Sequence, residues 1–345
     1  MMSRSIWTLA ILLMLVVSPA LGKFVCAADN GVDENPGTYA TPIGNLTHDQ
    51  WLEKRREVIA ALFGNNGTLP TASDPVLVES VPGPQAAGCL CSTLGHCEAS
   101  ECVWGNNMTK LVWSISASTT DGYTLTLNST VFYTLNTSGV APLAYPPYGP
   151  PEMPGGSAAN SQPATGRGKT LVLFHNGHSQ PCTNDEQGCV PDFDGSVDWL
   201  NQLGYDVMSF QMPLFQCNAV PNVPCQHAWF QQYADRGMPT MRFFVEPVVR
   251  AINYARDVLK YERIAMMGLS GGGFTTTVLG AIDPRIQLSI PVAGSIPCDF
   301  NHSSWDFEQY CDDPWAMVLN YTGLYVLAGL EEGRTSVQVL HEQVR

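Results

Sequence analysis

The sequence predicts an α/β fold: a mostly parallel, doubly wound sheet that carries an antiparallel hairpin toward its N-terminal side. Three observations carry this expectation. From Lys169 onward, short strand-like runs alternate with helix-length segments, the pattern of parallel strands joined by right-handed crossovers. Upstream, two runs of strand-forming residues flank the turn Thr120-Asp121-Gly122 and read as a β-hairpin. The pentapeptide Gly268-Leu269-Ser270-Gly271-Gly272 lies where a strand-like run, Arg263 to Met267, gives way to a helix-like run from Gly273 to Ile282.

Taken in order, the chain opens with Arg4, an apolar run from Ile6 to Val17 and the small-residue stretch Ala20-Leu21-Gly22, which is the order of a secretory signal peptide. The apolar run is short for a bilayer span, and no further span follows it. A second cut at Val25-Cys26-Ala27 would remove Cys26 and leave ten of the 11 cysteines. These lie close in sequence: Cys182 with Cys189, Cys217 with Cys225, Cys298 with Cys311, and a cluster of Cys89, Cys91, Cys97 and Cys102. Disulfides and an oxidising compartment are expected. Zinc is the rival reading of the cluster, which includes His96, but the spacing is not that of a paired C-x-x-C site. Seven N-x-[ST] sequons, at Asn45, Asn66, Asn107, Asn128, Asn136, Asn301 and Asn320, point to a secreted glycoprotein. A net charge of −14 argues against nucleic acid or anionic membrane as a partner, because neither would find clustered Lys and Arg.

The expected organisation is a signal peptide over 1–27, an N-terminal extension with a helix and the cysteine cluster over 28–108, and the sheet domain over 109–345. Within the extension, His48 to Phe63 reads as an amphipathic helix. Trp51, Leu52, Val58, Ile59 and Leu62 form its apolar side, Glu53, Lys54, Arg55 and Arg56 its polar side, and Gly64 stops it. Lys110 to Ala117 and Tyr123 to Leu135 are the hairpin strands; residues 141–168, rich in Pro and Gly, form a loop. Parallel strands are expected at Thr170–Phe174, Asp206–Phe210, Arg263–Met267, Ile286–Val292 and Ser336–Leu340. Helices are expected near Ser196–Leu203, Met241–Lys260, Gly273–Ile282 and Tyr321–Leu330.

A serine at the tip of a tight strand-to-helix turn is a candidate nucleophile, with the helix N-terminus behind it to receive negative charge. Ligands of such sheets gather at the carboxyl ends of the strands, where Ser270 and the turn His175-Asn176-Gly177-His178 both fall. These two segments, with Asp283-Pro284-Arg285 and the strand after it, resemble the α/β-hydrolase superfamily, from about Trp51 to the C-terminus. Within it the chain looks most like secreted acetylxylan-esterase-like or dipeptidyl-peptidase-like serine hydrolases. The resemblance implies a Ser270 nucleophile, with the N–H groups of Gly271 and of Gly177 or His178 as an oxyanion hole, and no cofactor or metal. For the side chains of His175 and His178, the plainer expectation is that one packs beneath the loop and orders it.

The resemblance also implies an acid and then a histidine downstream of the serine. The histidines there are His302, in a sequon, and His341, after the strand Ser336–Leu340. The acid candidates are Asp299 and Glu342, and Glu331 and Glu332 join them only if Leu324–Gly329 is a strand. The sequence stops at Arg345, so a missing final strand and a truncated form are also expected as a reading. The loop Gln211–Pro239, with Cys217, Cys225, His227, Trp229, Phe230 and Tyr233, either lines a pocket or packs on the domain as a lid. Two functions stand: hydrolysis of a small-molecule or carbohydrate carboxylic ester, and a non-catalytic or truncated binding protein of the same fold. A peptidase lacks a recognisable pocket for a peptide amino terminus, and residues 268–273 lack the Lys of a phosphate-binding loop.

Overall fold

The computed structural model describes residues 46–81, 108–136, 170–178, 196–295, 307–309 and 314–340. The expected signal peptide, the cysteine cluster, the loop 141–168 and the paired cysteines at 182, 189, 298 and 311 lie outside the described residues.

Eight strands form one sheet: β1 (Leu77–Val81), β2 (Met108–Ser118), β3 (Thr124–Thr134), β4 (Thr170–His175), β5 (Asp206–Phe210), β6 (Arg263–Leu269), β7 (Leu288–Val292) and β8 (Thr335–Ser336). Their order is β1-β2-β3-β5-β4-β6-β7-β8. The first three pair antiparallel, as do β3 and β5, and from β5 to β8 all neighbours are parallel. This is the hairpin-led, mostly parallel sheet that the sequence predicts. Pairing continues past β8, since Val337 and Val339 donate to the Ser289 and Pro291 carbonyls and Ala293 donates to the Val339 carbonyl. The chain therefore follows the strand expected at Ser336–Leu340.

The order places a switch point at the centre. From β4 the chain first adds β5 on one side, then crosses to add β6 on the other. Loops leaving β4 and β6 thus depart in opposite directions and leave a crevice at their carboxyl ends. β5 and β7 are buried throughout, as strands covered by helices on both faces must be.

Helices α1 (His48–Phe63), α2 (Ser196–Gln202), α3 (Gln231–Ala234), α4 (Arg242–Asp257), α5 (Gly271–Ile282), α6 (Pro314–Val318) and α7 (Tyr321–Ala328), with three short 3-10 turns at Gln216–Asn218, His227–Phe230 and Phe307–Gln309, complete the described elements. α1 begins with a capping box, Thr47 with Gln50, and ends at Gly64 in the left-handed region. Its apolar side joins the core with Trp113, Phe244 and Phe274. Arg55 departs from the expected polar side and is buried. Its guanidinium donates to the carbonyls of Ala281 at 2.8 Å and Leu327 at 3.0 Å and forms a two-pronged ion pair with Glu331. The carbonyls at the C-terminal ends of α5 and α7 lack helical donors and attract a cation, which is why a charge is tolerated there.

Two further expectations are corrected. α5 starts at Gly271 rather than Gly273, directly behind the serine. Residues 324–328 are helical, so Glu331 and Glu332 do not follow a strand; Glu331 serves Arg55 and Arg334 instead. The sequence does not announce β1 or α6: β1 is almost wholly exposed, so it shows no alternation of apolar and polar residues to read.

Candidate active site

Ser270 joins β6 to α5 at φ 57° and ψ −122°, a region that L residues rarely enter. Its N–H donates to the Val292 carbonyl at 2.9 Å, and its carbonyl accepts from Phe274, also at 2.9 Å. The helical ladder thus begins at Phe274 and leaves the N–H groups of Gly271, Gly272 and Gly273 without partners inside the helix. Ser270 is exposed although Gly271 to Gly273 behind it are buried.

Close approach explains the surrounding glycines. A Cβ on Gly268 would lie 2.3 Å from the Gly272 carbonyl oxygen, and one on Gly272 would lie 2.0 Å from that of His175. Only glycine lets β4, β6 and α5 meet at this point. Gly177 is as tightly set: a Cβ there would stand 2.9 Å from the Ser270 Cβ and 3.4 Å from the Gly271 nitrogen. The backbones of Gly177 and Gly271 therefore flank the serine.

The two histidines of the β4 turn have different surroundings. His175 is buried and stacked on Phe210, with ring centroids 5.9 Å apart, and its Nδ1–H donates to the Asn176 carbonyl at 2.7 Å. Burial pulls its pKa down to about 4, so the ring is neutral near pH 7. His175 is thus the histidine that orders the loop.

His178 turns the other way, into a group that no local motif announces. Its Nε2 lies 3.0 Å from His227 Nδ1 and 3.2 Å from Glu308 Oε1, and His227 Nδ1 lies 2.7 Å from Glu308 Oε2. The far nitrogen of His227, Nε2, donates to the Pro213 carbonyl at 2.9 Å. Glu308 and His227 are buried and His178 is partly exposed. Burial favours a protonated Glu308, but the charge of His227 and the approach of both imidazoles outweigh it and hold the carboxyl below the ordinary range. The group lies against the elbow: a Cβ on Gly271 would be 3.0 Å from His178 Cε1 and 3.2 Å from Glu308 Oε1.

The loop that carries His227 packs mainly on the domain. Residues 211–216 are buried, Phe230 stacks on Phe243, and Asn218 ties the loop to β3 by accepting from the Thr130 N–H at 2.7 Å. Cys217 and Cys225 in this loop are both disulfide-bonded.

Of the residues singled out from the sequence, Ser270, Gly271, Gly177 and His178 are brought together. Asp299, His302, His341 and Glu342 lie outside the described residues; the described chain reaches position 340 beside Ala293, at the same sheet edge as Ser270. Sequence reasoning misses Glu308 and takes His227 only as one residue of the loop Gln211–Pro239. Neither belongs to a local motif: they are 81 positions apart and meet only through the fold.

No protein-family model and no curated protein matches the chain. Solved structures similar to it include a Bacteroides fragilis protein assigned as an acetyl xylan esterase, at 10% identity and a TM-score of 0.47, covering 84% of this chain and 67% of that one. An acetyl xylan esterase from Paenibacillus sp. R4 aligns at 12% identity and a TM-score of 0.40, covering 88% of this chain and 81% of that one. A glucuronoyl esterase from Caldicellulosiruptor kristjansonii aligns at 13% and 0.40, covering 90% and 75%. At these scores the likeness carries neither substrate nor activity across.

Proposed function

We propose that this chain is a secreted serine hydrolase that cleaves a small-molecule or carbohydrate carboxylic ester through an acyl-enzyme on Ser270. The observation that carries the reading is the backbone of Ser270, at φ 57°, between the first N–H groups of α5, which have no partner inside the helix, and the tightly packed Gly177. An exposed hydroxyl there faces an incoming acyl carbon. The Ser270 oxygen bonds to that carbon, the ester C–O bond breaks, and the alcohol leaves with a proton. Water then releases the acid. The negative oxygen of each tetrahedral intermediate would rest on the N–H of Gly271 and that of Gly177 or His178, each donor being worth about 3 kcal/mol in the transition state. His341 as base, with Asp299 or Glu342 as acid, belongs to the same proposal.

Secretion is supported by the signal-like N-terminus, by the disulfide-bonded state of Cys217 and Cys225, and by the exposure of the sequon residues Asn66 and Asn128. Among the described residues, no helix is long and apolar enough to cross a membrane.

Fluorophosphonate labelling of the secreted protein, followed by mass spectrometry of the modified peptide, tests the reading. Label on Ser270, absent from Ser270→Ala, together with turnover of an acyl ester, is the expected result. A folded protein that takes no label would overturn it in favour of a non-catalytic binding protein of the same fold.

A further inference from the structure

We propose that His178, His227 and Glu308 form a binding site for one divalent transition-metal ion of the zinc type, seated beside the elbow. The inference does not rest on Ser270 being catalytic.

Geometry is the first support. His178 Nε2 lies 3.0 Å from His227 Nδ1 and 3.2 Å from Glu308 Oε1, while His227 Nδ1 lies 2.7 Å from the other carboxylate oxygen, Oε2; ligand atoms of the three residues thus all fall within 4.8 Å of one another. Ligands at 2.0–2.1 Å from a tetrahedral zinc ion are separated by about 3.3 Å, so the contacts at 3.0 and 3.2 Å are near that spacing already and the 2.7 Å contact needs to open by about 0.6 Å. Two imidazoles and one carboxylate are a donor set suited to zinc.

The tautomer of His227 is the second. Because a carbonyl can only accept, the contact with Pro213 places a proton on Nε2 and aims Nδ1 at Glu308 and His178. A ligating histidine characteristically has its distal N–H tied in this way to a backbone carbonyl or a carboxylate, which fixes the ring and raises the basicity of the ligating nitrogen. Pro213 is followed by Leu214, buried and at φ 67°, so the chain holds this carbonyl in place through an unfavourable backbone turn.

The third support is the balance of donors and acceptors inside the triangle. A proton between His227 Nδ1 and Glu308 Oε2 satisfies one edge. It leaves the buried Glu308 Oε1 with only the His178 Nε2 contact at 3.2 Å, which falls short of good hydrogen-bond geometry. A buried carboxylate oxygen without a partner is costly. One cation at the centre serves all three groups at once. It would also tie the turn after β4 to two segments reached 49 and 130 positions later, the latter being 178 to 308.

The test uses the full secreted protein, freed of metal with a chelator, then titrated with Zn²⁺ by calorimetry and with Co²⁺ by absorption spectroscopy. One equivalent of Zn²⁺ is expected, a rise in melting temperature on binding, and the visible absorption of a four-coordinate Co²⁺ ion. His178→Gln, which alters a partly exposed side chain and spares the core, should weaken Zn²⁺ binding by more than the 10–100-fold typical of a lost outer partner, and Glu308→Gln should do the same. Ser270→Ala should bind as the wild type does, which separates this result from failure of the hydrolase reading. A folded wild type that takes up no stoichiometric Zn²⁺ or Co²⁺ overturns the site. So does a loss of less than tenfold in both ligand variants.

Discussion

Gly177 lies so close to Ser270 that a Cβ on it would come within 2.9 Å of the serine Cβ and 2.6 Å of the Leu269 carbonyl oxygen. The two residues belong to loops leaving adjacent parallel strands, β4 and β6, at the point where the sheet order reverses. That reversal opens the crevice, and the glycine lets the two backbones line it from both sides.

Gly177→Ala should therefore impair the site where it is most constrained. The new methyl would push the β4 turn away from the N–H of Gly271, so the rate of fluorophosphonate labelling should fall by about 100-fold, the loss typical of one oxyanion donor. Circular dichroism on the same sample distinguishes a displaced loop from an unfolded chain. Labelling at the wild-type rate would remove Gly177 from the oxyanion hole.

The strained backbone of Ser270 predicts a trade between stability and chemistry. Ser270→Gly should be more stable than Ser270→Ala by about 1 kcal/mol, since glycine enters φ 57° freely and alanine does not. Denaturant unfolding of the two unlabelled variants measures the difference. Equal midpoints and slopes would mean that the elbow stores no strain.

Glu331 predicts a specific loss of stability in acid. Burial alone would raise its pKa, but hydrogen bonds and charge from Arg55 and Arg334 bring it from 4.5 down to about 2. A carboxyl depressed in the folded state contributes stability that is fully present above 4.5 and is lost as the pH falls from there toward 2. The advantage of the wild type over Glu331→Gln, about 2 kcal/mol near neutral pH, should shrink across that window. An advantage unchanged between neutral pH and about pH 3 would count against the ion pair as its source.

Trp113 tests the core beneath the hairpin. It is fully buried on β2, meets Tyr254 of α4 edge to face, and donates its Nε1–H to the Ser73 carbonyl at 3.0 Å. Trp113→Ala should cost about 3–5 kcal/mol. Trp113→Phe should recover most of the packing but leave the Ser73 carbonyl without its donor, a residual loss of about 1 kcal/mol. Equal losses in the two variants would mean that packing of the ring is not what matters there.

Much of this organisation is legible in the amino-acid sequence alone. The alternation after Lys169 announces the parallel strands because a strand buried on both faces needs a continuous apolar run and each crossover needs a helix of its own. The hairpin shows in the turn at Asp121-Gly122, where Gly122 adopts φ 90°. The elbow is readable because its glycines are demanded locally, by a serine turn squeezed between a strand and a helix. β1 is not readable: an edge strand exposed on nearly every residue carries no burial pattern.

What local sequence settles here is what local physics demands: periodicity, caps, and small residues at a tight turn. Arg55, His227 and Glu308 obey a different rule. Arg55 looks like surface charge on an amphipathic helix, and it is buried because the chain brings it the carbonyl ends of α5 and α7, which lie 226 and 272 positions away. Glu308 sits in a segment without periodicity and gains its significance from two histidines on other loops. A charge is stable in a core only where distant groups complete its bonding, and which groups those are is decided by the packing of the whole chain rather than by its neighbours in sequence.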